Sequence, residues 1–135
     1  MRIKEDTRKK LIDEIKFILS KMKKEIDREQ KIYYFSGIHG IISRIFNFEY
    51  DPELIFAHVV LSFTHSNIHA RLAEEEKIIK VPDEFLDKLV DTTEELLKKI
   101  EINESLYDTL QKFSVIGYAT TGNGYYLYQK GLLRL

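Results

Sequence analysis

Asp51-Pro52-Glu53-Leu54-Ile55-Phe56-Ala57-His58-Val59-Val60-Leu61-Ser62-Phe63-Thr64-His65-Ser66-Asn67-Ile68-His69-Ala70 decides the reading of this chain. Its first three residues are a helix start: a capping carboxylate, a proline suited to the first turn and an acid at the positive end of the helix dipole. From Leu54 to Ala70 there is no Asp, Glu, Lys or Arg. Apolar side chains point nearly all round, with Leu61 and Ile68 on one side, Val59 and Phe63 on another and Val60 on a third. Such a helix belongs at the centre of a fold or against a second copy of the chain.

Outward from it, the periodicity is helical in both directions. Leu11, Ile15, Ile18, Met22 and Ile26 mark an amphipathic first helix over about 6–29, and Ile32, Phe35, Ile38, Ile42 and Ile45 mark a second, largely buried one over about 31–46. The third is expected to run to about Glu75. A fourth starts near Pro82, with Phe85, Leu86, Leu89, Leu96, Leu97 and Ile100 on one stripe. Asn103 reads as the cap of a fifth, whose apolar face is Leu106, Leu110, Phe113 and Ile116, and 120–124 (Thr-Thr-Gly-Asn-Gly) reads as the turn that ends it. The tail from Tyr125 is compatible with a short sixth helix or an extended arm. No hairpin or repeat is visible. The expected fold is all-α, a single domain over 1–135 built as a bundle of five main helices, the third central.

Charge is distributed unevenly beneath a net value of −1. Residues 1–31 hold 11 basic and 7 acidic side chains, whereas 74–104 hold 5 basic and 11 acidic. A basic-leaning helix and an acidic-leaning one therefore flank an almost uncharged inner pair. The absence of cysteine excludes disulfides and thiolate chemistry and suits a reducing compartment. With no apolar leader core at the N-terminus, a cytoplasmic location is expected. The uncharged run is short of about 20 residues and holds three histidines, so no membrane span is expected. Abundant Lys, Glu and Ile with scarce Asn and Gln lean toward the composition of thermophile proteins.

All four histidines lie between positions 39 and 69. His58, His65 and His69 share an arc of about 40° on the third helix. His65 and His69 have the i,i+4 spacing that lets two imidazoles hold one divalent ion such as zinc, nickel or iron, with His39 and Glu76 the candidate further ligands. His58 stands about 10 Å further along the axis, too far to share that ion. A metalloprotease needs Glu where Ser66 stands, and a di-iron bundle needs Glu three residues before each histidine, so neither pattern is complete.

Ser36, Gly40 and Ser43 form a small-residue face on the second helix, read as the site of close approach by another helix or as a pocket floor. A small-molecule ligand there would meet Ser36, His39, Gly40, Ser43, His58 and Ser62, with Tyr33 and Tyr34 at the edge. Ser-x-x-His recurs at Ser36 and His39, Ser62 and His65, and Ser66 and His69, where a hydroxyl is placed to satisfy an imidazole. Mid-helix serines lack an oxyanion hole, so hydrolase chemistry is not expected. The lysines of the first helix alternate with acids, which disfavours nucleic acid as a partner. No catalytic constellation is complete. The leading expectation is therefore a non-catalytic module that self-associates, most simply as a homodimer and without a cofactor; a metal-dependent protein is the alternative, and a nucleic-acid accessory protein using the basic first helix is the weaker one.

Overall fold

Asp51 begins the third helix as its sequence implies. Its carboxylate is buried and accepts from the Leu54 backbone N–H at 3.0 Å and from Arg2 N–H at 2.7 Å. The computed structural model describes residues 1–74 and 80–135, and Glu76 and the expected end of the third helix at Glu75 lie outside them. The described residues form six α-helices and no strand: α1 Glu5–Lys24, α2 Arg28–Ile45, α3 Pro52–Ala73, α4 Asp83–Glu101, α5 Tyr107–Ala119 and α6 Gly122–Gln129.

α3 packs against both α2 and α5, α1 against α2 and α4, α4 against α5, and α5 against α6. The residues with strict helical spacing supply the core. Leu11, Ile15 and Met22 of α1, Phe35 and Ile38 of α2, Leu54, Leu61 and Ile68 of α3, Phe85 and Leu89 of α4 and Leu110 and Phe113 of α5 are fully buried. The Phe35 and Phe113 rings meet at 5.7 Å. The basic-leaning α1 lies beside the acidic-leaning α4, joined by Lys23 to Glu94 at 2.9 Å and Lys16 to Glu101 at 3.6 Å.

Three boundaries differ from the sequence reading, each for a local reason. α1 ends at Lys24 instead of near Glu29, because Asp27 accepts from Glu29 N–H and caps a new helix, leaving Ile26 93% exposed. Asn103 does not cap α5. It sits at φ 53° just past the end of α4, where Glu104 N–H reaches the Lys99 carbonyl and Asn103 N–H that of Ile100, a left-handed helix stop that asparagine tolerates. The glycines expected as a turn form the first turn of α6, where the Thr121 hydroxyl accepts from Gly124 N–H. This helix folds onto its own chain: Tyr128 meets the Phe85 ring edge-on at 4.9 Å and donates to Glu84 at 2.5 Å.

Candidate functional site: a histidine ladder beside an open apolar face

α2 and α3 run antiparallel, so the end of one faces the start of the other. This register inserts His39 of α2 among the three histidines of α3. Its ring lies 5.9 Å from His58 and 5.3 Å from His65, and His65 stacks on His69 at 5.7 Å and 16° between planes. Phe46 closes the other end, 5.9 Å from His58. The four imidazoles are thus one continuous ladder along the α2–α3 groove. The sequence places three of them on one stripe, but only the packing of α2 on α3 brings in the fourth.

The rings lie side by side in the groove and are not gathered around one point. Among the described residues no three His, Asp or Glu side chains are grouped to hold a metal ion. Nor do the serines satisfy the imidazoles. Ser36 donates to the Tyr33 carbonyl at 2.5 Å, and the buried Nε2 of His39 has no hydrogen-bond partner among the described residues. Burial, reinforced by His58, lowers the His39 pKa below its usual value. Burial first, then His39 and His69, lowers that of His65 to about 4. Both are neutral near pH 7.

A cleft of about 340 Å³ opens at the His69 end, lined by Asp27, Glu29, Gln30, Tyr33, Ser36, His65 and His69. Of the expected ligand-binding set it includes only Ser36; His39, Gly40, Ser43, His58 and Ser62 lie outside it. Asp27 and Glu29 are absent from the sequence expectation, since only the antiparallel register carries the start of α2 to His69. Tyr34, expected at the pocket edge, packs against the core instead. A larger cleft of about 680 Å³ lies between α4 and α5 and mixes both signs of charge, with Lys88, Lys112 and Arg134 beside Asp91, Glu95 and Asp108.

The small-residue face is open. A Cβ at Gly40 would meet nothing within 4 Å, and Ser43 is exposed. Close helix approach occurs elsewhere: Gly37 faces Ile18 of α1, and Gly117 of α5 lies so near α3 that a Cβ there would come 2.9 Å from the Thr64 Cα. The Thr64 hydroxyl joins the same contact, 2.8 Å from the Val60 carbonyl and 2.9 Å from that of Phe113.

Across the ladder from Gly40, α3 shows Ile55, Phe56, Val59 and Phe63 at 38%, 41%, 58% and 40% exposure, with Phe56 stacked on the exposed Tyr107 of α5. Compared with protein-family models, with curated proteins and with solved structures, the chain matches none. No helix among the described residues is long and apolar enough to cross a membrane.

Proposed function

We propose that this chain is a non-catalytic helical assembly module that pairs with a second copy of itself through the α2–α3 face. The observation that carries the reading is the exposed side of α3, where four large apolar side chains stand in water on a helix with no charged residue between Leu54 and Ala70. Contiguous exposed apolar area of this kind marks interaction surfaces.

The face is also shaped to receive itself. A row of small residues, Ser36, Gly40 and Ser43, lies on one side of the ladder, and a row of large ones, Ile55, Val59 and Phe63, lies on the other. A two-fold axis running along the ladder sets each copy's large row on its partner's small row. It packs α3 of one copy antiparallel on α2 of the other, an isologous pairing. Removing these side chains from water contributes about 25 cal/mol for each Å² of apolar area buried.

Sedimentation equilibrium tests the reading. The wild type is expected to approach twice its 16.0 kDa chain mass at high micromolar concentration. Val59→Asp is expected to remain at the chain mass with its helical circular dichroism unchanged. A wild type that stays monomeric throughout overturns the proposal.

The ring contacts among His39, His65 and His69 favour a second reading, a divalent metal held at the ladder. Coordination would require the stacked imidazoles to turn their nitrogens toward one ion. Elemental analysis of untagged protein incubated with zinc, nickel and iron decides it: about one ion per chain or per pair supports the metal, and none after desalting removes it.

A further inference from the structure

We infer that this self-association is gated by proton binding at the ladder of His39, His58, His65 and His69: two copies close over neutral imidazoles, and protonated imidazoles separate them. The inference rests on the proposed pairing and adds its regulation. The two-fold axis that matches the large and small rows runs along the ladder, so it lays one copy's four rings over those of the other. Eight imidazoles then share one seam, shielded from water on both sides by apolar rows.

Neutral, they are compatible with such a seam. Within one copy, neighbouring rings are already 5.3–5.9 Å apart, so a second proton must enter beside the first at close range. Closing a partner over the groove removes the water that screens that repulsion.

Among the described residues, few charges stand near enough to compensate. From α2, Asp27, Glu29 and Tyr33 share the cleft with His65 and His69, and Arg44 is exposed beside Ser43. α3 itself contributes no carboxylate or cation between Leu54 and Ala70. α1 approaches α2 from the Gly37 side and α5 approaches α3 from the Thr64 side, both away from the ladder. The influences on His39 and His65 are burial and other imidazoles, with no carboxylate among them. Asp27 and Glu29 bring negative charge to the His69 end alone, and the His58 end is closed by Phe46.

Sedimentation velocity from about pH 8 to about pH 4 on the full chain, with circular dichroism in parallel, tests the gate across the ordinary histidine range and down to the lowered value of His65. The expected result is a dimer at the alkaline end and a folded monomer at the acid end. The association constant should fall about tenfold per pH unit for each proton taken up on dissociation. A dimer that persists unchanged to the acid end overturns the gate and leaves the pairing intact. A monomer at every pH overturns the pairing itself.

A second measurement does not depend on ladder variants folding. Imidazole titrations followed by NMR in the wild type and in a monomeric variant with a neutral polar side chain on the face, Val59→Asn, are expected to show higher histidine pKa values in the monomer, because protons that dissociate the pair must bind the free copy more tightly. Equal values in the two proteins overturn the gate.

Discussion

The His39 ring sits 5.3 Å from that of His65 across the α2–α3 groove, and its buried Nε2 has no hydrogen-bond partner among the described residues. Protonating such an imidazole is disfavoured, since the charged form would be partly buried beside two other imidazoles, His58 and His65. The groove therefore holds two imidazoles, His39 and His65, that burial keeps neutral near pH 7, beside the exposed apolar side of α3.

Stability of the single chain should consequently depend on pH. His39 and His65 have pKa values depressed below 6.5 in the folded state, so the unfolded chain binds more protons as acidity rises. Their contribution is whole above about pH 6.5 and is lost progressively as pH falls toward about 4. The His65 ring is only partly buried, so after allowance for solvent screening its share of the loss is about 1–2 kcal/mol. Urea melts of the monomeric Val59→Asp chain across this window measure it, and adding His65→Gln should flatten the slope. A slope unchanged by that substitution would assign the acid sensitivity to other groups.

Two glycine-to-alanine exchanges should act in opposite directions. At Gly117 the new methyl meets the Thr64 Cα at 2.9 Å and Phe63 Cε1 at 3.0 Å, and parting α3 from α5 should cost about 1–3 kcal/mol. At Gly40 it meets nothing, and the gain in helix propensity should stabilise the chain by about 0.5–1 kcal/mol. Thermal melts of both variants in the Val59→Asp background read this contrast without interference from assembly. Similar shifts at both sites would contradict the α3–α5 contact.

Asp51→Ala removes one carboxylate from two backbone donors, Leu54 N–H and Arg2 N–H. The expected loss is about 1–3 kcal/mol, larger than for an exposed cap because the site is buried. Hydrogen exchange should show early opening confined to the first turn of α3 and the N-terminal arm.

Much of this architecture is written in local pattern. Asp51-Pro52-Glu53 specifies the start of α3 through a single cap, and the opposed charge bias of residues 1–31 and 74–104 is reflected in the pairing of α1 with α4. The break at Asp27 is masked because Ile26 continues the apolar spacing of Met22, although it ends up in water. Asn103 is legible as a helix boundary but not as the left-handed stop behind one. The candidate site lies further from local reach. His39 joins the ladder, and Asp27 and Glu29 reach His69, only through the antiparallel register of α2 and α3. Nor does hydropathy separate Leu61 and Ile68, which are buried, from Val59 and Phe63, which are not, since all four are apolar on one helix. That distinction depends on which sides α2 and α5 cover.

Because the chain has no cysteine, one introduced thiol reports directly on the face through which copies meet. Ser62 lies in the row between the ladder and Ile55, close to the two-fold axis of the pairing, so the Ser62 positions of two copies face one another. Under mild oxidation near neutral pH, Ser62→Cys is expected to give a covalent dimer on a non-reducing gel, while Ser20→Cys, at an exposed position of α1, stays monomeric. Equal cross-linking of the two variants, or none at Ser62→Cys, would contradict assembly through the α2–α3 face.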